Sequence, residues 1–246
     1  HSFSPVAYTD RTLVVLDAMP RTLEVDAGSA TVLVSAGVRW GELAPHVHRQ
    51  GFALANMGSL PHISVAGSAS TGTHGSGSSL GCLATSVVAL ELVTADGAVR
   101  EMTSDDVDLA GSVVALGTLG VVTSLRLRLV PEFDVAQTVW DDLPLEVATA
   151  RFDDVMDAAY SVSMFTTWRR DVVEQVWVKR RTTDPKVDLR WTGATPADGP
   201  RHPVPSTDAA ACTEQGGVPG PWFERLPHFR LEFTPSSGTE LQTEYM

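Results

Sequence analysis

Residues 56–81 form a long run of small side chains, with the sequence NMGSLPHISVAGSASTGTHGSGSSLG, between two segments that favour β-structure. Each glycine loses more backbone entropy on ordering than any other residue, so a soluble chain rarely uses so many for packing alone. Small residues let the backbone approach a ligand closely, and successive N–H groups in turns form concave anion sites. The run therefore predicts a loop that wraps the phosphates and ring of a bulky cofactor.

The alternative is a flexible Gly/Ser linker, which has a similar composition. Apolar residues within the run argue against it, because they recur at the spacing of a short packed helix: Ile63, Val65, Ala66 and Ala69. The two histidines of the run, His62 and His74, lie twelve residues apart in a loop, which is no metal-ligand signature. For His74 a hydrogen bond that orders the loop is favoured over a catalytic role.

The charge balance excludes two classes of partner. The 246 residues include 18 Lys and Arg against 30 Asp and Glu, which gives a net charge of −12. Nucleic acid and anionic membranes need a cationic face, so neither is an expected partner. No apolar run is long enough to span a bilayer and no signal peptide is visible, which favours a cytoplasmic protein. Because the chain opens on His1 rather than methionine, we expect an upstream segment to be missing.

The hydrophobic pattern changes near Pro131 and divides the chain into a strand-rich first part and a mixed second part, an α+β fold. In residues 1–131 the pattern predicts strands at 11–16, 22–26, 31–35, 86–94, 98–103 and 121–130, and helices at 39–50 and 105–116. In residues 132–246 it predicts a helix at 145–160, strands at 161–168 and 174–181, a loop at 182–221, and a strand or a strand plus a short helix across 228–233 and 239–245. Gly51 stands where the first helix would be capped, Ser104 is the expected N-cap of the second, and Pro131 is expected to end the last strand of the first part.

One predicted strand carries an informative alternation. In EQVWVK, residues 174–179, Val176 and Val178 fall on one face, while Gln175, Trp177 and Lys179 fall on the other.

Several familiar sites are excluded by their missing motifs. The chain has no G-x-x-x-x-G-K-[ST] phosphate loop, no G-x-S-x-G nucleophile elbow and no G-x-G-x-x-G after a strand, which argues against the corresponding nucleotidase, hydrolase and Rossmann folds. The two cysteines, Cys82 and Cys212, indicate neither a disulfide framework nor a metal site. Ser59, just before Leu60-Pro61, is placed to present a hydroxyl to a pocket, although alone it reads as a turn serine.

Four motifs of the first part together resemble the vanillyl-alcohol-oxidase-type FAD-binding fold: HSF, PHISVAGSASTGTHGSG, LVTADG and LGTLGVVTSLRLRLVP. Within that fold the chain looks most like the alditol oxidases (xylitol and sorbitol oxidases), on YSVSMFTTW, VWVKRRT, HPVP, CTEQGGVPGPW, ERLPHFR and EFTPSSGTELQTEY of the second part. The resemblance implies an FAD-binding domain of two small α/β subdomains at residues 1–131, without its N-terminal strands. It implies part of a mixed α+β substrate-binding domain at residues 132–246.

The resemblance also assigns residues to the cofactor, FAD. His1 matches the histidine of the family's G-H-S-F motif, which is bonded covalently to the flavin 8α carbon, and Ser2 and Phe3 follow it. Positions matching FAD contacts are Ser59, Ser64, Gly67, Ser68, Ala69, Ser70, His74 and Val121. Ser59 also matches a serine beside the substrate hydroxyls, and Val121 matches a position whose backbone contacts the adenine end.

The reaction implied is oxidation of the terminal primary alcohol of an alditol to the aldose, with O2 reduced to hydrogen peroxide. The flavin carries the redox step, and the protein supplies orientation and electrostatics. A gulonolactone-type sugar-1,4-lactone oxidase and a flavin-free binding protein with the same fold are the alternatives. The family's main substrate-binding groups, a Glu/Arg pair and a late Lys, lie in segments beyond Met246. The resemblance therefore assigns no catalytic residue here and implies that this chain by itself has little or no oxidase turnover.

Overall fold

The computed structural model describes residues 5–233, so His1, Ser2 and Phe3 and the strand predicted at residues 239–245 lie outside the described residues. The strands are β1 Leu23–Asp26, β2 Thr31–Ser35, β3 Phe52–Ala53, β4 Val87–Val93, β5 Val99–Thr103, β6 Val121–Arg128, β7 Val130–Pro131, β8 Asp134–Pro144, β9 Ser161–Phe165, β10 Val172–Arg181, β11 Thr195–Pro196 and β12 Pro219–Pro221. The α-helices are α1 Trp40–His48, α2 Val65–Ser70, α3 Leu109–Val113, α4 Leu145–Ala150, α5 Phe152–Met156 and α6 Trp222–Arg225.

The first sheet has the strand order β1-β2-β6-β4-β5, and every neighbouring pair is antiparallel. Two of its pairs are hairpins closed by short turns. β1 and β2 are joined through a turn in which the Asp26 carboxylate accepts the N–H of Gly28 at 2.9 Å. β4 and β5 flank the Asp96-Gly97 turn, with Val93 opposite Val99.

Helix α1 packs its apolar stripe onto the core beneath this sheet. Its four buried side chains are those predicted from the helical spacing: Trp40, Leu43, Ala44 and Val47. Beyond the helix, Gly51 adopts φ +81°, the left-handed conformation that glycine reaches without a Cβ clash. The same core includes Val135, Trp222 and Leu226, so the second part of the chain contributes to it.

The second sheet has the strand order β11-β8-β10-β9, and β12 also pairs with β8. Its central strand β10 presents two different faces, as the alternation predicts. Val176 and Val178 lie in an apolar cluster with Trp140 and Val162, and this side is called the apolar face below. The opposite side, called the polar face, carries Gln137, Gln175, Trp177 and Lys179, all buried.

Different parts of the chain cover the two faces. Ala148 of α4 and Val155 of α5 pack in the apolar cluster. The polar face is covered by the long segment after β11, where Cys212 and Phe229 pack around Trp177. A strand buried on both sides is typical of the centre of a layered α+β fold.

Three predicted elements differ from the structure for identifiable reasons. Residues 11–16 form no strand, and Leu13, Val14 and Val15 are exposed. β-Branched residues alone do not form a strand when no neighbouring strand pairs with them. The helix predicted at 105–116 is reduced to α3, whose N-cap position is Asp108 rather than Ser104. The helix predicted at 145–160 is interrupted at Arg151, which separates α4 from α5.

Two further boundaries were wrong. Pro131 does not end β6, which stops at Arg128; instead Val130–Pro131 forms β7 and pairs with β3. Residues 228–233 form no strand, and their one bridge joins Phe229 to Cys212. Across residues 5–233, no helix is long and apolar enough to cross a membrane.

Candidate functional site

The small-residue run contains a short helix, as its apolar spacing predicts. Helix α2 begins after Ser64 and buries Val65, Ala66 and Ala69. The backbone N–H of Val65 donates to Val38, whereas the N–H groups of Ala66 and Gly67 donate to no atom within residues 5–233. Gly67 is exposed, so its N–H is open to a ligand or to water.

The loop after α2 is a second source of open donors. The five successive N–H groups of residues 75–79 make no hydrogen bond among the described residues. Glycine is needed here by packing as well as by any ligand. A Cβ on Gly75 would lie 2.1 Å from Asn56 Oδ1, and one on Gly77, where φ is +121°, would lie 2.7 Å from the Tyr160 carbonyl oxygen. The run therefore packs tightly on its neighbours, which a flexible linker does not do.

This loop lies between the two sheets. The Ser76 and Ser163 hydroxyls are 2.5 Å apart, and Ser163 belongs to β9 of the second sheet. On the other side of the loop, the Tyr160 hydroxyl donates to the Ala55 carbonyl oxygen at 2.5 Å. The Ser78 hydroxyl donates to Asp157, which follows α5. Contacts from both parts of the chain thus hold the loop in place.

An exposed apolar patch adjoins the C-terminal end of α2. The N–H of Leu116 donates to the Ser70 carbonyl oxygen at 3.2 Å, and a Cβ on Gly72 would lie 3.6 Å from Val114. The exposed apolar side chains on residues 114–121 are Val114, Leu116, Leu119 and Val121. Open N–H donors beside exposed apolar side chains suit a ligand that has both phosphates and flat rings.

The residues matched to FAD contacts occupy different depths. Gly67 and Val121 are exposed, and Ser64 and Ser70 are half-buried. Ala69 is buried. Gly67 carries one of the open N–H donors and Val121 belongs to the apolar patch, so the residues present fit a bound FAD.

Ser68 has a structural role that the sequence did not indicate. Its side chain is 4% exposed, and its hydroxyl donates to the Val65 carbonyl oxygen while accepting a hydrogen bond from Trp40 Nε1 at 2.7 Å. Its own N–H donates to Ser64, and its carbonyl oxygen accepts from Thr73. Ser68 therefore ties α2 to α1, and a direct FAD contact from it stays a prediction.

His74 makes a loop-ordering contact of the predicted kind. The ring is half-buried, and its Nδ1 lies 2.8 Å from the Gly75 carbonyl oxygen, which assigns the proton to Nδ1 in that contact. Gly58, next to Ser59, approaches Thr73 and His74 closely. Ser59 is thereby placed beside the loop that follows α2, which is called the cofactor loop below.

Ser59 also joins the second part of the chain. Its Oγ lies 2.7 Å from Nδ1 of His228, and its carbonyl oxygen accepts the N–H of Phe229 at 3.2 Å. His228 is 7% exposed, and its ring packs edge-on against Phe165 and Trp177, with centroids 5.4 and 5.2 Å away. Sequence reasoning missed this residue, because a lone histidine in LPHFR carries no motif that reveals its partner.

Two titratable groups on this side have strongly shifted pKa values. Burial lowers the pKa of Lys179 to about 7, with its ammonium donating to the Leu226 carbonyl oxygen. Burial, and then the charge of Lys179, lower the pKa of His228 well below its usual range. His228 is therefore neutral near pH 7. Lys179 lies on the face of β10 that the alternation predicts, but its burial there was not predicted.

Two other features do not add to this site. A cavity of about 410 Å³ is lined by residues 157–160, 180 and 184–188, and none of the residues matched to FAD lines it. In the part of the chain that the structure describes, no group of three or more His, Cys, Asp or Glu is arranged to hold a metal ion. Cys82 and Cys212 are both free thiols.

Comparison with known proteins agrees with this geometry. The FAD binding domain family matches residues 1–103. Alditol oxidase of Streptomyces sp. (strain IKD472 / FERM P-14339) is 53% identical over 248 residues, which cover 100% of this chain and 59% of that protein. L-gulonolactone oxidase of Mus musculus is 38% identical over 149 residues, covering 60% of this chain and 34% of that protein. The chain thus spans about three fifths of the length of the alditol oxidase that it matches.

Solved structures show the same fold at low sequence identity. An alkyldihydroxyacetonephosphate synthase superposes with a TM-score of 0.60 at 16% identity, over 72% of this chain and 42% of that one. A solvent-stable cholesterol oxidase superposes with a TM-score of 0.59 at 15% identity, over 71% and 37%. The fold class predicted from the sequence is confirmed. Residues 1–103 match the FAD binding domain family, and the chain is similar to alditol oxidase over its whole length.

Proposed function

We propose that the protein catalyses FAD-dependent oxidation of the terminal primary alcohol of an alditol such as xylitol or sorbitol to the aldose, with O2 reduced to hydrogen peroxide. The observation that carries this proposal is the 53% identity to alditol oxidase, which extends over the whole chain. Similarity to the L-gulonolactone oxidase extends over 60% of the chain only, so a lactone substrate is less well supported. The substrates of this protein are then a small polyol and O2. A cytoplasmic location stays a prediction.

We assign the cofactor contacts to the open surface around α2. It is formed by Ser64, Gly67 and Ser70 on and beside α2 and by the exposed Val121, and the N–H groups of residues 75–79, unpaired among the described residues, supply further donors. FAD, when bound there, supplies the acceptor for the hydride of the alcohol. Ser2 and Phe3 are proposed to accompany a covalent attachment at His1, and Ala69 supports the helix from behind.

The chain's own residues orient the polyol. Ser59 is half-buried and lies between the loop after α2 and the second sheet, where its hydroxyl contacts His228 and its carbonyl oxygen accepts from Phe229. We propose that this hydroxyl binds a polyol hydroxyl, while the two sheets exclude water from the junction. A polyol bound there lies next to the cofactor loop.

A domain boundary near Pro131 accompanies this proposal, with an FAD-binding domain at residues 1–131 and a substrate-binding domain at 132–246. Support comes from the two separate sheets, one on each side of that residue. Limited proteolysis of the FAD-loaded protein tests the boundary, with a first cleavage near residue 131 as the expected result. A first cleavage within β8 or β6 would contradict it.

The substrate proposal is tested by a panel of xylitol, sorbitol and L-gulono-1,4-lactone on the full-length protein, with hydrogen peroxide as the product measured. We expect peroxide from the alditols at a higher kcat/KM than from the lactone. The reverse order would favour the lactone oxidase, and a colourless protein that binds no FAD would favour the flavin-free alternative.

The attachment proposal has a separate test. After acid precipitation, flavin fluorescence is expected to remain with the wild-type protein and to be lost from the His1→Ala variant. The matched control is His46→Gln on α1, which leaves the flavin attached. Covalent flavin that survived in the His1→Ala variant would place the attachment elsewhere.

A further inference from the structure

The contact between Ser59 and His228 links residues 169 positions apart in the chain, across the junction of the cofactor loop and the polar face. The Ser59 Oγ makes no other hydrogen bond within the described residues, and its side chain is half-exposed. The imidazole is nine-tenths buried and packs edge-on against Phe165 and Trp177, whose rings also contact each other. One partner is thus rigid and closed to solvent, and the other is open on one side.

The surroundings of His228 Nε2 indicate which ring nitrogen carries the proton. Nε2 of His228 is buried and has no hydrogen-bond partner among the described residues. A neutral imidazole has one N–H and one bare nitrogen. An orphaned buried N–H is rarer in native proteins than an orphaned acceptor, so the unpartnered Nε2 is the nitrogen without a proton. The proton therefore belongs on Nδ1, facing Ser59.

We infer that His228 is a positioning residue for Ser59, donating its Nδ1–H to Ser59 Oγ so that the serine hydroxyl hydrogen is directed at an oxygen of the bound polyol. This inference rests on the proposed function for the identity of the ligand, but the hydrogen bond itself does not. With one lone pair of Oγ taken by the imidazole, the Ser59 O–H has few directions left. Ser59 serves the polyol as a donor.

The hydrogen bond can be observed without any activity. In the ¹⁵N-labelled full chain, long-range ¹H–¹⁵N correlations report which ring nitrogen of His228 is protonated. We expect Nδ1 protonated and Nε2 bare between about pH 6 and about pH 8, with no titration. Ser59→Ala should shift the Nδ1 resonance and leave the ring of His46 unchanged. A protonated Nε2, or no shift in Ser59→Ala, would overturn the assignment.

The positioning role is tested by two amide variants in the FAD-loaded full-length protein. Asparagine places its amide where Nδ1 stands, and glutamine places its amide where Nε2 stands. His228→Gln should raise the Kd for xylitol, read from the flavin absorbance change, and the KM by about tenfold, with kcat changed less. His228→Asn should stay within about threefold of wild type, which a merely structural role does not explain. His46→Gln is the control.

Coupling between the two residues completes the test. Ser59→Ala should raise the xylitol Kd by a similar factor, and the double variant Ser59→Ala/His228→Gln should be no weaker than either single variant. Additive effects, or wild-type affinity in a folded His228→Gln variant, would overturn the inference. If wild-type protein binds no polyol, the proposed function fails while the NMR result still decides the hydrogen bond. If His228→Gln does not fold, the Ser59→Ala variant still supplies both measurements, the shift of the His228 Nδ1 resonance and the change in the xylitol Kd.

Discussion

The two faces of the second sheet are equally buried but chemically opposite. On the apolar face, Val176 and Val178 pack with Trp140 and Val162. On the polar face, Lys179, Gln175 and Gln137 are buried at the same depth, and Lys179 is 1% exposed. Strand β10 contributes side chains to both faces, as does β8. Burial by itself therefore does not indicate what a side chain is doing.

The difference shows that the polar face is specialised at a cost to stability. Buried polar groups are stabilising only when their hydrogen bonds are satisfied, and a buried amine loses its hydration. Gln175 is satisfied, because its Nε2 donates to the His202 carbonyl oxygen and its Oε1 accepts from Trp177 Nε1. Gln137 Oε1 has no partner within residues 5–233. This is the face that His228 packs against, and through it the face reaches Ser59.

Replacing Lys179 by methionine should produce the largest change in stability. Burial lowers its native pKa to about 7 from 10.5, so above pH 7 the unfolded state binds more protons than the native state. The free energy of unfolding of the wild type should therefore rise by about 2–3 kcal/mol between about pH 7 and about pH 9. Lys179→Met should remove that rise and stabilise the protein by up to about 4 kcal/mol below pH 7.

Urea unfolding across this pH range measures the effect. Burial raises the pKa of Cys212 to about 11 from 9.0, so above pH 9 the native state binds more protons than the unfolded state and the free energy of unfolding falls as the pH rises. The urea measurements therefore stop near pH 9. The control is Lys186→Met at an exposed position, which should keep the wild-type slope. Equal slopes in wild type and Lys179→Met would show that the buried amine is not the source.

Leu143→Ala, in the apolar cluster, should lower the free energy of unfolding by about 3 kcal/mol, through lost burial and the cavity left behind. Unlike the change at Lys179, this loss should be the same at every pH between 7 and 9, since no titratable group is removed. Leu13→Ala, at an exposed position, should change stability by less than about 0.5 kcal/mol. If the loss of unfolding free energy in Leu143→Ala varied with pH, the proposed difference between the two faces would be contradicted.

Gln175→Leu should cost about 2 kcal/mol, because it leaves Trp177 Nε1 buried without an acceptor. The matched variant is Gln137→Leu on the same face. It should cost less, about 1 kcal/mol, since Gln137 Oε1 is already unpaired and only the donations from its Nε2 are lost, at 3.1 Å to the Glu214 carbonyl oxygen and at 3.4 Å to Thr213. Chemical denaturation compares the two variants. The opposite order would mean that satisfied pairing does not stabilise this face.

Tyr160→Phe should have the smallest effect, a loss of about 1 kcal/mol, by removing the hydrogen bond from its hydroxyl to the Ala55 carbonyl oxygen. Because that bond holds the second part against Ala55, which directly precedes the small-residue run, amide exchange of residues 75–79 should also accelerate relative to α1. Tyr8→Phe, where the ring is exposed, should change neither quantity. Unchanged exchange in Tyr160→Phe would show that the loop is held by its other contacts.

Local pattern predicted much of the fold. Apolar spacing located α1 and its buried face, and the Asp-Gly turn located the hairpin of β4 and β5. The alternation of EQVWVK assigned the two faces of β10 correctly. These features depend on neighbours within a few residues, where periodicity and turn chemistry act. The strand predicted at residues 11–16 was wrong, because a strand also needs a pairing partner and no local pattern supplies one.

The candidate site was predicted in part. The small-residue run and Ser59 stood out because composition and family resemblance both point there. Ser68 was interpreted as a cofactor residue, but its hydroxyl bonds to Trp40 inside the core, a contact between two elements. His228 drew no attention, because its partner lies 169 residues away.

The sequence alone indicated the resemblance to FAD-dependent oxidases, the small-residue loop, the main periodic elements and the net negative charge. Each of these is encoded in residue types and short spacings. Only the tertiary structure decided that the polar side of β10 is closed over, that Lys179 loses its hydration there, and that His228 meets Ser59. The physical reason is that pKa shifts and hydrogen-bond direction depend on which distant atoms exclude water, and the chain brings those atoms together only when it folds.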